Sequence, residues 1–95
     1  MKVIISPEAA ADLNRLRAFL ADKNRDAAQR AASSLVDAIQ SLDTFPDRGR
    51  STVFEGVREL IVPFGSSAYV LRYAHLPDTD EVVVLRIWHG REKRE

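Results

Sequence analysis

The sequence contains no cysteine. This absence excludes a disulfide-stapled scaffold and any metal site built on thiolate ligands, and it fits a reducing compartment. The chain also lacks an apolar run approaching the roughly 20 residues that a membrane-spanning helix requires. Its first apolar stretch ends at Ser6 and Pro7, which is too early for the core of a secretory signal peptide. We therefore expect a cytoplasmic protein without membrane segments.

An excess of charge of either sign is missing as well. The 14 lysines and arginines balance the 14 aspartates and glutamates, so the formal net charge is zero. Tight binding to a nucleic-acid backbone usually requires a clear basic excess. The glycines are isolated rather than grouped in a phosphate-binding loop, and the acidic residues do not have the spacing of a calcium loop. We expect no cofactor and no metal ion.

The chain does contain a clear order of secondary-structure patterns, and its 95 residues suffice for one domain, 1–95. A first helix should begin after Ser6, a good N-cap, with Pro7 in its first position, and Asp26 should cap a second helix. The predicted strands lie near residues 2–5, 57–63, 68–75 and 82–89, and the predicted helices near residues 7–23 and 27–44. The order β-α-α-β-β-β predicts an α+β domain.

Short connections between the last three strands predict a small antiparallel sheet, one face of which should carry a hairpin of the two helices. In the last strand, alternation places Leu85 and Ile87 on one face and Arg86 and Trp88 on the other. The face with Leu85 and Ile87 is the more apolar and should face the helices, whereas Asp12 should lie on the solvent side of the first helix. The predicted core consists of Leu13, Leu16, Leu20, Leu35, Ile39, Leu42, Leu85 and Ile87.

Arginines provide the main concentration of chemistry. Arg58, Arg72 and Arg86 lie inside three consecutive predicted strands, where arginine is uncommon unless the face is wet or paired. One interpretation is a face that recognises anions or a partner protein. The other is cross-strand ion pairing, for instance with Glu59 or Glu81.

Three ring-bearing residues near these arginines allow two interpretations each. His89 could act as a general base, or it could be a strand-end histidine bound to backbone groups. Trp88 and Tyr69 could stack on nucleic-acid bases, or they could serve packing. The sequence alone leaves both possibilities open.

Several short motifs occur in a characteristic order along the chain. They are Ser6-x-x-Ala9-x-x-Asp12-Leu13, Phe45-Pro46-x-x-Gly49-Arg50, Gly56-x-Arg58-x-Leu60, Tyr69-x-x-x-Tyr73 and Val84-Leu85-Arg86-Ile87-x-His89-Gly90-Arg91. With the β-α-α-β-β-β order, they make the whole chain resemble the RelE/ParE superfamily of bacterial type II toxins. The ParE branch is the more similar, since Val70 stands where RelE-type nucleases often have an arginine.

The resemblance implies a small toxin, linked to plasmid stabilisation, that a cognate antitoxin neutralises in a hetero-oligomer. Membership of the ParE branch would imply inhibition of DNA gyrase through protein contacts without catalysis. Membership of the RelE branch would instead imply metal-independent cleavage of mRNA on the ribosome, with His89, Arg86 and Arg58 as candidate catalytic residues. A third possibility is a degenerate member that only binds its antitoxin. The candidate partner-binding residues are Arg58, Arg72, Arg86, Trp88 and Arg91.

Overall fold

The computed structural model describes residues 1–91, and within them two helices pack on a five-stranded sheet. The elements in chain order are β1 (Lys2–Ile5), α1 (Pro7–Lys23), α2 (Arg25–Ser41), β2 (Arg50–Ser51), β3 (Val57–Phe64), β4 (Ser67–Leu76) and β5 (Glu81–His89). The predicted α+β class and the helical hairpin are confirmed. The two-residue strand β2 was not predicted, because such a short segment leaves no alternation to recognise.

Capping side chains determine where the helices begin. Ser6 caps α1, as predicted, since its hydroxyl accepts the Ala9 N–H at 3.1 Å. The predicted cap of α2 at Asp26 is wrong: Asn24 ends α1 and also caps α2, and its Oδ1 accepts the Ala27 N–H at 3.0 Å. Helix α2 therefore begins two residues before the predicted position and ends three residues earlier, at Ser41.

The sheet has the strand order β1-β5-β4-β3-β2 and is mixed rather than wholly antiparallel. Strands β2 to β5 pair antiparallel with their neighbours, as their short connections predict. Strand β1 pairs in parallel with β5, from Lys2 beside Glu81 to Ile5 beside Val84. A pairing between the two ends of the chain has no local signal, so the sequence could not reveal its direction. Beyond Ile5, the outer edge of β5 lies beside α1 instead of a strand.

The hydrophobic core lies between the helical hairpin and one sheet face. It includes Leu16, Leu35, Ile39 and Leu42 from the predicted set, together with Ile87, while Leu13 and Leu20 pack at its border. From the middle of the sheet, Leu60, Val62, Tyr69, Leu71 and Tyr73 complete the core. The predicted core is thus largely confirmed, apart from the assignment within β5.

A β-bulge in β5 changes which of its residues face the helices. Arg72 pairs with Arg86 and Tyr73 with Val84, so Leu85 is an extra residue without a partner on β4. Val82 and Val84 are therefore fully buried in the core, whereas Leu85 is half-buried, and the predicted core position of Leu85 is wrong. Because the extra residue shifts the alternation by one, Ile87, three residues after Val84, faces the helices as predicted.

Ser6 contributes to this bulge from the start of α1. Its N–H donates to the Val84 carbonyl at 3.0 Å, and its hydroxyl donates to the Leu85 carbonyl at 3.1 Å. One side chain therefore caps the first helix and binds the irregular part of the last strand.

A close contact joins the loop after α2 to the core. The Gly49 N–H donates to the Tyr73 hydroxyl at 2.9 Å, and the ring of Tyr73 is fully buried. A Cβ atom at position 49 would lie 2.9 Å from Tyr73 Cε1 and 3.0 Å from the Glu59 carbonyl oxygen. The space beside the tyrosine therefore requires glycine at this position.

Candidate functional site

Arg72 lies on the sheet face opposite the helices, within an ion-paired cluster. Its Nε and Nη2 both donate to Glu59 Oε2, at 3.0 and 2.8 Å, and its guanidinium stacks over Trp88 at 4.8 Å. Arg50 binds the other Glu59 oxygen at 3.2 Å. The cross-strand pairing that the sequence allowed for Glu59 is therefore present, and Trp88 is only 7% exposed beneath the arginine.

Arg86 forms a second ion pair, with a residue that the sequence did not single out as its partner. Its Nε and Nη2 donate to the two carboxylate oxygens of Asp12 at 2.8 and 3.1 Å. The Ile87 backbone N–H donates to the same carboxylate at 2.8 Å. Asp12 is 4% exposed, so its predicted position on the solvent side of the helix is wrong. It lies three residues after buried Ala9 and four before buried Leu16, a helical spacing that would have placed it on the buried face.

Arg58 lies towards the end of the sheet that is remote from His89, and it binds the loop after α2. Its Nη1 donates to the Gly49 carbonyl at 2.7 Å, and its Nε lies 3.4 Å from the Asp47 carboxylate. Asp47 also contacts His75 Nδ1 at 2.9 Å. These contacts hold the loop against the sheet.

His89 lies at the end of β5 on the face that carries the helices, edge-on to Tyr69 with 5.5 Å between ring centroids. The Arg91 backbone N–H donates to its Nδ1 at 3.1 Å. In a neutral ring the proton is then on Nε2, which lies 2.9 Å from the Ser67 hydroxyl. Both ring nitrogens therefore have partners within the fold, as in the second interpretation of this histidine.

The basic residues do not converge on one point. Arg58 pairs across the sheet with Tyr73, and His89 pairs with Tyr69, four residues away on β4. This separation corresponds to about 13 Å along the strand. Arg72 is on the opposite sheet face from His89, and Arg86 is turned towards Asp12 on α1. The arrangement binds elements of the fold together at three separate places.

An apolar groove at one end of the sheet is the largest surface feature near His89. We call it the α1 groove. It has a volume of about 700 Å³ and is lined by Arg15, Leu16, Phe19 and Leu20 of α1, with Phe64, Tyr69, His89 and Arg91. Phe19 is 61% exposed there. The sequence analysis missed this surface because Phe19 belongs to no recognisable motif.

Other kinds of site find no support in residues 1–91. No group of three or more histidine, aspartate or glutamate side chains among them is placed to hold a metal ion. None of the helices in this range has the length and apolar character needed to cross a membrane.

The carboxylates of Asp12, which is buried, and Glu59, which is partly buried, should make stability depend on acid pH. Burial alone would raise the pKa of Asp12, but hydrogen bonds from Arg86 and Ile87 and the charges of Arg86 and Arg15 outweigh it and lower the pKa below 3.8. Burial would also raise the pKa of Glu59. The hydrogen bonds and charges of Arg72 and Arg50 outweigh this effect and lower the pKa below 4.5. A carboxyl group with a lowered folded-state pKa stabilises the fold above its unfolded pKa.

We therefore expect the free energy of unfolding to fall as the pH drops below about 5 and on through the folded pKa values. Urea titrations from neutral to acid pH measure this dependence. The Asp12→Asn variant should show a shallower loss over the same range, whereas Asp22→Asn, at an exposed position of α1, should follow the parent. An acid response of Asp12→Asn identical to that of the parent would contradict the assignment.

Comparisons with known proteins place this fold in a class of small bacterial toxins. A family model described as the ParE toxin of the type II toxin-antitoxin system parDE matches residues 3–94. The chain therefore belongs to the ParE toxin family of type II toxin–antitoxin systems.

Individual relatives agree with this family. "Toxin RelE1" of Caulobacter vibrioides is 46% identical over 92 residues, which cover 97% of this chain and 96% of the relative. "Toxin RelE3" of the same organism is 38% identical, covering 97% of each chain. A solved structure from the chromosomal ParDE TA system of P. aeruginosa has a TM-score of 0.75 at 22% identity, covering 94% of this chain and 95% of that one. This structural match shows that the two proteins share a fold.

Proposed function

We propose that this chain is a toxin that acts in the cytoplasm by binding DNA gyrase, without cutting RNA, and that a cognate antitoxin neutralises it in a hetero-oligomer. The observation that carries the first part is the dispersal of its basic side chains. A metal-independent nuclease needs a base and cationic groups that converge on one scissile phosphate. Here His89, Arg86 and Arg58 each bind a different part of the fold.

The hydrogen bonds of the His89 ring support the same proposal. A general base needs an unprotonated nitrogen directed at the substrate hydroxyl. The unprotonated Nδ1 of neutral His89 accepts the Arg91 N–H, so it is occupied by the backbone of its own chain. The formal net charge of zero adds to this argument, because a protein that works on ribosomal RNA benefits from a basic surface.

The antitoxin partner is supported by the family to which the chain belongs and by the chain's exposed apolar surface. Phe19, Phe45 and Phe54 are each more than 60% exposed. Large apolar side chains exposed in this way are typical of protein-binding surfaces when they border a groove. A partner that covers them would also stabilise a domain whose small size limits its core.

Assays of the two candidate targets test the proposal. The purified protein should inhibit supercoiling of relaxed plasmid by purified gyrase, and mRNA on purified ribosomes should remain intact. Addition of the antitoxin should restore supercoiling. The His89→Ala variant should inhibit gyrase as strongly as the parent does.

A ribosome-dependent nuclease is the second candidate, since the two curated relatives carry the name RelE. Site-specific cuts in ribosome-bound mRNA, lost in the His89→Ala variant and unaccompanied by gyrase inhibition, would replace the first proposal with this one.

A further inference from the structure

Strand β1 ends the sheet with an unpaired outer edge. Among the described residues, β1 pairs with no strand except β5. The N–H groups of Lys2 and Ser6 donate to carbonyl groups on the β5 side, each at 3.0 Å. Because alternate residues of a strand direct their backbone groups to opposite sides, Val3 and Ile5 direct theirs away from β5. The outer edge therefore offers two N–H donors and two carbonyl acceptors to a partner.

Apolar side chains accompany this edge on the helix side of the sheet. Val3 and Ile5 lie beside Val82 and Val84, which are buried under the helices, so they face the same way. They border a groove of about 520 Å³ between β1 and α2, which Val36 lines from the helix. Ile5 is 43% exposed and Val36 is 41% exposed. We call the outer edge of β1 and this groove together the β1 surface.

Features that prevent strand pairing are few on the β1 surface. Native edge strands are commonly protected by central charges, by proline or by a bulge. The single charge of β1 is on its first residue, Lys2, and the other three residues are apolar. The opposite edge strand of the sheet, β2, has only two residues, and one of them is an exposed arginine. Of the two edges, β1 is therefore the better suited to pairing.

A second copy of the chain satisfies this edge in one particular register. With a two-fold axis through the sheet at Ile4, Val3 of each copy lies opposite Ile5 of the other. Each such pair makes two backbone hydrogen bonds, so every outward donor and acceptor of both strands is used. Since an axis perpendicular to the sheet keeps the helices of both copies on one side, Val36 of each copy adds to the same apolar contact.

Charge also favours a second copy over a charged partner. The formal net charge of the chain is zero, so two copies do not repel each other as a whole. The same register brings Lys2 of each copy opposite Ser6 of the other, two residues before Glu8 in the first turn of α1. Lys2 and Glu8 are both exposed. Opposite charges therefore meet at each end of the paired strands.

We propose that the β1 surface is the interface of a symmetric dimer of this chain. Antiparallel pairing of the two β1 strands, centred on Ile4, joins two five-stranded sheets into one. The side chains of Val3, Ile5 and Val36 are buried between the copies on the helix side. This inference goes beyond the proposed function, because it holds whichever target the chain acts on.

Sedimentation equilibrium of the purified chain tests the dimer, with two equally exposed residues as a matched pair of variants. Val36 lines the β1 surface, whereas Ile61 lies in β3 on the open face of the sheet, and each is 41% exposed. We expect the mass to rise with concentration towards that of two chains. Val36→Lys should weaken self-association by about tenfold or more, and Ile61→Lys should leave it unchanged. A parent chain that stays monomeric up to about 1 mM, or an equal loss in the two variants, would overturn the proposal.

Cross-linking through a single cysteine tests the register. The chain contains no cysteine, so Ile4→Cys introduces the only thiol. In the proposed register the two residues at position 4 form a non-hydrogen-bonded pair, with Cα atoms about 4.5 Å apart, which a disulfide can join. Ile4→Cys should therefore form disulfide-linked dimers about tenfold faster or more than Ile61→Cys, which lies on the same sheet face two strands further from β1. Equal rates of the two variants would contradict pairing through β1.

Amide hydrogen exchange distinguishes a second copy from another occupant of the edge. The Val3 and Ile5 amides should become protected as the concentration of the chain alone is raised, whereas the Ile4 amide, directed towards β5, should be protected throughout. If the chain alone is monomeric and these two amides become protected only after the antitoxin encoded beside it is added, the edge takes a segment of that partner and the proposal is wrong. Gyrase and ribosome assays do not enter this test, so its outcome is independent of the proposed function.

Discussion

Replacing Asp12 with alanine should lower the free energy of unfolding by roughly 2–4 kcal/mol. The substitution leaves the Ile87 N–H without its acceptor and removes the carboxylate that binds Arg86 through two hydrogen bonds. The Arg86 side chain is 38% exposed, so water can solvate part of it after the change, which keeps the cost below that of a fully buried charge. The loss would still be a large part of the stability of a domain this small.

Chemical denaturation with circular dichroism measures this effect. Asp22→Ala, at an exposed position of the same helix, is the matched control and should change stability by less than about 0.5 kcal/mol. Asp12→Asn should fall between the parent and Asp12→Ala, because the amide oxygen can still accept the Ile87 N–H. A loss from Asp12→Ala no greater than the control would show that the ion pair does not hold α1 to β5.

A second large loss of stability, about 2–3 kcal/mol, is expected from Gly49→Ala. The added methyl group would lie 2.8 Å from the Tyr73 hydroxyl oxygen and 2.9 Å from its ring. Tyr73 is fully buried and cannot swing away, and the Glu59 backbone closes the other side at 3.0 Å. The loop must therefore move outward, which would also lengthen the hydrogen bond from the Gly49 N–H to the tyrosine.

Gly65→Ala is the comparison that isolates crowding as the cause. A Cβ atom at position 65 meets no heavy atom within 4 Å, although the residue has a positive φ of 60°. That substitution should cost about 1–2 kcal/mol through backbone strain alone. Thermal unfolding of both variants gives the difference, and a smaller loss for Gly49→Ala than for Gly65→Ala would contradict the crowding argument.

Local signals explain what the sequence could predict of this fold. Ser6 and Pro7 start a helix whose bounds match the prediction, and the short connections between β3, β4 and β5 require antiparallel neighbours. The parallel pairing of β1 with β5 and the bulge at Leu85 depend on contacts between residues about 80 positions apart. Such contacts leave no pattern within one segment of chain.

In the candidate site too, local signals could be recognised in the sequence and contacts between distant residues could not. The positions of Arg58, Arg72 and Arg86 inside predicted strands singled them out as a group. Cross-strand pairing with Glu59 was one of the two interpretations, and Arg72 makes that pair. Asp12 was overlooked as the partner of Arg86, because the two residues are 74 positions apart and only the folded chain brings them together. The α1 groove likewise arises from the assembly of a helix with the ends of three strands.

The bulge lets β5 direct residues from both phases of its alternation towards the helices. Val82 and Val84 precede Leu85 and Ile87 follows it at odd spacing, yet all three are fully buried. Regular pairing of every residue, Leu85 included, would turn one of these sets towards water. Deletion of Leu85 would instead leave all three on one face, but it would remove the carbonyl that accepts the Ser6 hydroxyl. Relatives that lack one residue at the Leu85 position should therefore keep the same buried face and lose this link to the start of α1.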